Sequence, residues 1–592
     1  MSSIRFGPAR AQEAAKVLAQ LGPAALPADF PSSSNGAPSR TLLPRISPSL
    51  LSSAAPDVVI FSKTDPADPK NWSRWRKRIV VFYVCALALC SAFGSSIYAT
   101  TELQIRAKYN ANADTASAGL TVYVLGFSFG PLVCPMSEIY GRKLPYMVSW
   151  PILIVMSAID AFVDNLAVII VFRFLTGAAA ACALNNGGGI MSDLYNIVDM
   201  QAQAIAISWY AASILSGPCV ALVIGFFIVA YAGPNLWALR VFFFFTIAMW
   251  PLVILLPETH GPTILAARSK KLRNEGRPNA RAAHELKHQT KGELLRIHFG
   301  RPAKMFVTEP IIQGAAVWTS LSYGIVYFFF EVYTIVFFEQ HHFRLQLTGL
   351  PFIAIIIGTV VAAAFYVPLV KYFQGIPLPT FIVPKETPKD APEMRLKLAL
   401  FACVMMPISL FWFAWTSSGS VHWIAPTLAG VPFGFATITI FFTFLTYTSQ
   451  TYTIYASSSG ACNIFARCLI GSFFPIVAHS IVDNLGSEWG VSVFGFISFC
   501  LLPIPLVFLR WGPTLRARSP MANEANAIVA KMRAQAAAAA KKAQEQAAAA
   551  AAIAAENEKA KVNIDSLDSD RSDGEMVKKL NVLTNAAEVN SV

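Results

Sequence analysis

The amino-acid sequence predicts an all-α membrane protein of 12 transmembrane helices in two six-helix bundles, with the N- and C-termini cytoplasmic. Three observations carry this prediction. About twelve runs of roughly twenty apolar residues fill the chain, each long enough to cross a hydrocarbon core of ~30 Å. Charged residues make up 14% of the 592 and hydrophobic ones 55%, whereas a soluble chain carries about 25% charged. The runs also fall into two groups of six around one long basic stretch, Pro257 to Pro310.

Residues 1–72 are read as a disordered cytoplasmic leader, because they are rich in Ser, Pro and Ala and lack helical periodicity. No short apolar run with a small-residue cleavage site precedes Ile79, so the first span stays in the mature protein. The N-terminal bundle, 73–256, holds expected spans at 79–100, 117–136, 146–162, 167–190, 204–231 and 240–256. A basic cytoplasmic central loop, 257–310, follows. The C-terminal bundle, 311–512, holds spans at 311–338, 347–370, 396–415, 423–447, 457–482 and 490–511. The Ala-rich cytoplasmic tail, 513–592, is strongly helix-forming but lacks an apolar stripe wide enough to fold alone, and is expected to be partly disordered. Within it, Ser566 to Glu575 sets serines among acids, which reads either as a polar tail or as a phosphorylation site.

The net charge of +13 marks membrane topology rather than nucleic-acid binding, since the bases lie in loops beside apolar spans. Arg74, Arg76, Lys77 and Arg78 precede the first span, Arg142 and Lys143 follow the second, and Arg516 and Arg518 follow the last. Loops assigned outside are neutral or acidic. Met191 to Gln203 breaks the pattern, with Asp193 and Asp199 and no base. All nine cysteines sit in apolar segments and read as packing residues, not a disulfide framework.

Between spans two and three stands Pro135-Met136-Ser137-Glu138-Ile139-Tyr140-Gly141-Arg142-Lys143. A tight Gly141 turn carries an acid and two bases to the membrane edge. There Glu138 can face a helix N-terminus and Arg142 can pair across the halves, with Ser457 to Ser459 as the partner helix start, forming a latch that breaks as the bundles rock. The alternative is a charged loop that only sets topology.

With the upstream Gly130-Pro131-Leu132, this segment resembles the loop signature of the major facilitator superfamily, in particular the fungal twelve-span drug:proton antiporter group that includes polyamine and multidrug exporters. Asp65-Pro66-Ala67-Asp68-Pro69-Lys70-Asn71-Trp72-Ser73 is similar to that group's leader, and Arg173 to Tyr195 to its fourth span. Pro257-Glu258-Thr259, Thr308-Glu309-Pro310 and Tyr327 to Glu331 agree as well. Two features depart: one residue fewer separates Gly130-Pro131-Leu132 from Pro135, and the fifth-span antiporter motif keeps its helix-kinking Gly217-Pro218 but has Ala221-Leu222 in place of a second pair. The resemblance implies the major facilitator fold and export of a small organic molecule against entering protons. The reduced fifth-span motif keeps a uniporter or importer open.

Charges inside apolar spans are costly and by default functional. Arg173 in span four is expected to face the central cavity, with a role in proton relay or cavity electrostatics implied by the resemblance. Glu331 in span seven is expected to exchange a proton for substrate, since a carboxylate in low dielectric holds its proton until water or a cation arrives. A structural pair or a snorkelling side chain is the alternative for both. Asn185 and Asn186, about three turns after Arg173, are candidates to line the same cavity, and Gly187-Gly188-Gly189 to admit a neighbouring helix. Tyr98, Tyr323, Tyr327, Trp412, Tyr447 and Tyr452 are candidate aromatic walls, or else belt and core residues.

His284-Glu285-Leu286-Lys287-His288 matches the zinc-protease pattern, but it stands in a polar loop with no third ligand, so it reads as a chance match. No phosphate-binding loop, metal site, cofactor or enzymatic constellation is expected. The expected partners are a small-molecule substrate, protons and the lipid bilayer, with no nucleic acid, and the chain is expected to act as a monomer. An amphiphilic or hydrophobic cargo, a drug or secondary metabolite including glycolipids, fits spans that offer chiefly Glu331 as an acid; a polyamine would want more. A non-transporting membrane sensor is the reading from a different class. The expected location is the plasma membrane, with the vacuolar membrane as the alternative.

Overall fold

The computed structural model describes residues 57–531 apart from 63, 197–198, 234, 284, 287–299, 385–387 and 389–390, together with 534, 538, 544 and 545. The first span begins at Ser73, whose hydroxyl accepts from the Arg76 amide and so caps α1 (Arg74–Ser96). A 3-10 turn leads on into α2 (Glu102–Tyr109), which stops where Asn110 takes a left-handed φ of 52°. The helical run 74–109 counts 36 residues, about 54 Å of rise, so α2 reaches past the hydrocarbon core on the far side.

The second span is not the single helix expected over 117–136 but a pair, α3 (Ala113–Phe127) and α4 (Gly130–Tyr140). Pro131 lies in the first turn of α4, where its missing N–H costs nothing. Spans three to six are α5 (Lys143–Phe162), α6 (Leu166–Leu194), α7 (Met200–Ala232) and α8 (Trp237–Leu255). On the basic face, which the positive-inside rule assigns to the cytoplasm, lie α9 (Gly261–Asn274) and α10 (Arg301–Thr308).

The second half runs through α11 (Pro310–Thr334), α12 (Phe352–Gly375), α13 (Leu396–Thr416) and α14 (Ile424–Tyr452). It ends with α15 (Ala456–Gly471), α16 (Phe474–Cys500) and α17 (Pro503–Arg518). Gly486, at φ 77°, breaks α16, so span eleven is α15 with the first part of α16, and span twelve is the remainder with α17. Twelve crossings result among the described residues. Length and apolarity alone pick out nine stretches, because 424–518 runs through three crossings unbroken and α3/α4 is interrupted.

Within the first half α1 packs on α7, and α3 and α5 pack on α6; within the second, α12 and α13 pack on α14, and α11 packs on α15. The halves meet along α7 with α12 and along α3 with α16. In lipid the apolar effect does not drive helices together, so close approach and buried hydrogen bonds fix these pairings. At Gly217 a Cβ would lie 2.7 Å from the Leu89 carbonyl oxygen of α1, and the Ser96 hydroxyl donates to the Pro218 carbonyl at 2.8 Å. The expected kink is therefore not a break: α7 passes through Gly217-Pro218 as one helix of 33 residues, and the pair serves this contact. Trp150 donates to the Thr246 carbonyl and Trp318 to that of Leu501, each at 2.9 Å.

Part of the leader is ordered. Asp57–Val59 (β1) pairs in parallel with Ala280–Ala282 (β2) of the central loop, and Asp65 bonds to Arg268. Residues 520–531 continue as a mostly exposed helix, with Ala522 and Ala525 buried. The described cysteines form no disulfide. Residues 1–56 and the serine-acid segment 566–575 lie outside the described residues.

Gly217→Val is expected to lower stability by about 1–3 kcal/mol through overpacking against α1, read as an earlier thermal transition in size-exclusion profiles of the detergent-purified chain. In the central loop, hydrogen bonds from the Arg273 guanidinium hold the Glu285 carboxyl down at about 2, against an ordinary 4.5. The contribution of this pair to loop docking is therefore complete above 4.5 and is lost as pH falls through 4.5 toward 2. Hydrogen exchange over 280–286, corrected for its intrinsic pH dependence, is expected to rise in that window and to lose the rise in Arg273→Met.

Candidate functional site

At the face opposite the basic loops, four ionisable side chains from the two halves converge. Glu331, near the end of α11, is 2% exposed, and its Oε2 lies 3.4 Å from His479 Nε2 on α16. Glu102, the first residue of α2, is 5% exposed and reaches the same nitrogen at 3.8 Å. Arg106, one turn further along α2, has Nη2 2.9 Å from it. One imidazole of the second half is thus held by a base and an acid of the first. Among the described residues His479–Glu102 is the only acid–base contact joining the two bundles, ionic when the imidazole is protonated. The ligating atoms of Glu102, Glu331 and His479 lie within 4.8 Å of one another, a spacing that would suit a metal ion, but the Arg106 guanidinium already brings positive charge to that nitrogen.

Arg173, expected to face the cavity, instead ties three helices of its own bundle together. Its guanidinium donates to the carbonyls of Gly94 and Ser95 on α1 and of Gly119 on α3, at 2.9, 3.0 and 3.2 Å. It also lies 4.3 Å from the Tyr123 ring centre and 5.0 Å from that of Tyr98. Asp160 is buried in α5 and accepts from the Thr176 hydroxyl at 2.9 Å.

On the basic face Gly141 takes φ 98°, and Glu258 of Pro257-Glu258-Thr259 accepts from the amides of Arg142 and Lys143 at 2.9 and 3.1 Å, capping α5. Arg142 does not pair across the halves as expected. Its Nε bonds to Asp193, on α6 of the same bundle, at 2.9 Å, and its Nη1 to Ser137 at 2.8 Å. This pair explains the acidic loop that broke the topology pattern, since the missing base comes from a neighbouring turn. Lys143 donates to the Ile254 carbonyl. Glu138 stands half-buried in the last turn of α4 and makes no ion pair among the described residues. Asn186 donates to the Arg142 carbonyl at 2.8 Å, which places it with this turn and not with a cavity. Asn185 donates to the Ala181 carbonyl and packs on Gly130, between α6 and α4. Gly187 admits the Tyr210 ring and Gly189 the Arg142 guanidinium.

Between α7, α11, α14 and α15 lies a small cavity of about 30 Å³. Ala211, Ile214 and Leu215 line it from the first half; Tyr323, Phe441 and Arg467 line it from the second. Tyr323 and Tyr327 are 3.2 Å apart at their hydroxyls, and that of Tyr327 donates to Ser95 across the halves at 3.1 Å. The other candidate aromatics lie elsewhere. Trp412 is 42% exposed on the outer surface, Tyr447 packs at Gly512, and Tyr452 donates to Glu309 at the start of α11.

The sequence profile of the Major Facilitator Superfamily matches residues 84–475, most of both bundles. The chain belongs to the major facilitator superfamily. Superfamily relatives include the "Major facilitator superfamily multidrug transporter mdrA" of Aspergillus fumigatus, 31% identical over 81% of this chain and 78% of the relative. The "Efflux pump FUB11" of Gibberella moniliformis is 29% identical over 81% and 80%, and the "Multidrug transporter TPO1_1" of Candida glabrata 32% over 78% and 80%. Among solved structures, the xylose transporter XylE from E. coli in a partially occluded inward open conformation superposes at TM-score 0.51, with 13% identity over 73% of this chain and 97% of that one, which shows the fold. This chain is thus an integral, multi-pass superfamily transporter.

Sequence reasoning named Glu331 and Tyr327 but missed Glu102, Arg106 and His479, and passed over Arg467 although it interrupts the apolar run of span eleven. In the zinc-protease match Glu285 is engaged by Arg273 at 2.8 Å, and His284 and His288 lie outside the described residues. For the superfamily turn, Arg142→Ala leaves Asp193 largely buried without its base and is expected to cost on the order of 3 kcal/mol. The double variant with Asp193→Asn should recover part of the lost thermal stability.

Proposed function

We propose that the chain exports a small amphiphilic or hydrophobic organic molecule, a drug or secondary metabolite, from the cytoplasm across the plasma membrane by proton antiport with alternating access. The observation that carries this reading is the buried cluster of Glu331, His479, Glu102 and Arg106 on the seam between the bundles. Two carboxylates within 4.8 Å repel each other by roughly 3 kcal/mol at an effective dielectric of about 20. Closing the seam over them therefore favours a state in which one is neutralised by a proton, with Arg106 and the imidazole balancing the other. Separating the bundles at this end hydrates the four groups on the side from which protons enter. Proton uptake is thereby coupled to the same motion that would open the cavity outward.

The cavity supports the cargo class. Its wall is apolar and aromatic with a few hydroxyls and Arg467, and no carboxylate among the described residues lines it, so a polycation would find no counter-ion there. The relatives named as multidrug transporters and as an efflux pump are consistent with export.

The test uses the full chain in proteoliposomes loaded with the neutral dye Nile red, with an imposed proton gradient. Glu331→Gln is expected to slow gradient-driven dye movement at least roughly tenfold while dye binding is retained, a loss confined to the coupled step. A Glu331→Gln rate equal to that of the unmodified protein removes the coupling role. Movement of dye that ignores the gradient in the unmodified protein removes antiport itself. A tagged chain at the vacuolar rim instead of the cell boundary would move the proposed location.

A further inference from the structure

We infer that the cavity recognises an acidic group on its cargo, so that the preferred substrate is an organic anion with an apolar body, held through Arg467. This inference rests on the export reading above and names the substrate class of the same cavity. Arg467 sits on α15, is 4% exposed and borders the empty space directly. It differs from the other buried arginine of a span, Arg173, whose N–H groups are taken up by three carbonyls. No carboxylate among the described residues lies within ion-pair reach of Arg467, and its Nε, buried, has no hydrogen-bond partner.

What Arg467 does have is aromatic. Its guanidinium carbon lies 4.4 Å from the ring centre of Phe441 and 4.6 Å from that of Tyr323. Ring faces steady the positive charge but accept no in-plane N–H bonds, and the neighbouring Cys468 thiol is only a weak acceptor, so the buried Nε stays open. One turn earlier on the same face, the Asn463 amide meets the Thr319 hydroxyl at 3.1 Å through its oxygen, while its nitrogen is buried without a partner. Thr319 itself lines the cavity.

A buried cation without a counter-charge is expensive in low dielectric, and a planar fork matches a carboxylate in two parallel bonds. The missing partner of this site is therefore an anion. The rest of the wall, including Ile214, Leu215 and Ile438, gives an apolar body its place.

The experiment uses the full chain in nanodiscs and three probes that share one ring system: naphthylacetate, naphthylacetamide and naphthylmethylamine. The acid is expected to bind roughly 10- to 100-fold more tightly than the amide, the range of a charge-assisted pair. Arg467→Gln should erase that advantage and leave amide binding within about twofold, while Arg467→Lys should keep part of it. Amide or amine binding as tight as the acid in the unmodified protein overturns the inference, and that comparison decides the matter even where a variant fails to fold. An Arg467→Gln that weakens all three probes alike also overturns it. In proteoliposomes, proton-driven movement of the probes with no preference for the acid would sink this inference and leave antiport standing. Preferred acid binding through Arg467 without proton-driven movement would do the reverse.

Discussion

Low dielectric is the constraint on which the rest of this structure depends. A charge carried into the bilayer must be compensated locally or is too costly to keep. The buried ionisable groups sort themselves by how each is compensated. Arg173 spends its donors on backbone carbonyls and its charge on two tyrosine rings, which makes it a brace among α1, α3 and α6. Arg142 is matched by Asp193 within one bundle. The Glu331 cluster is matched across the two bundles, so its compensation depends on their being together. Arg467 has rings but no acid among the described residues, which leaves its charge for a bound cargo to match.

This sorting separates parts that hold a bundle rigid from parts that sense the distance between bundles. The Trp150 and Trp318 indoles, the close approach at Gly217 and the Arg173 brace are all internal to one half. Rocking of rigid halves needs such internal ties, because a bundle that deformed would not transmit motion from one face to the other. The contacts across the seam are fewer and are mostly packing and single hydrogen bonds, such as Tyr327 to Ser95 and Ser208 to the Ala363 carbonyl. These are separable without leaving a buried charge bare.

Much of the fold was legible because hydropathy reports each span without reference to its neighbours. The twelve spans appear about where the apolar runs put them, nine of them as single helices. The second was misread as one helix because the chain stays apolar through the Ser128–Phe129 break. The site was less legible. Arg173 and Glu331 stood out as charges in apolar runs, yet sequence could not say that one faces carbonyls and the other an imidazole. Glu102 and Arg106 were hidden in what read as a loop, because α2 extends the first helix past the lipid, and their partner His479 is 373 residues away from Arg106. Asn186 shows the limit of periodicity: its spacing from Arg173 fixed an angular position on α6, but the neighbour it meets is Arg142. Arg467 carried the same signal as Glu331, an ionisable residue in an apolar run, and that signal was sufficient to find it.

The ionic fastening between halves is one-sided. Among the described residues it exists only at the end remote from the basic loops, while toward the opposite end the halves meet by packing and neutral hydrogen bonds such as Ser208 to Ala363. Without cargo or gradient, the arrangement that faces the exterior must give up a bonded network, whereas the one that faces the cell interior gives up none. In this build the outward-opening movement is the one that must part a hydrogen-bonded group of side chains.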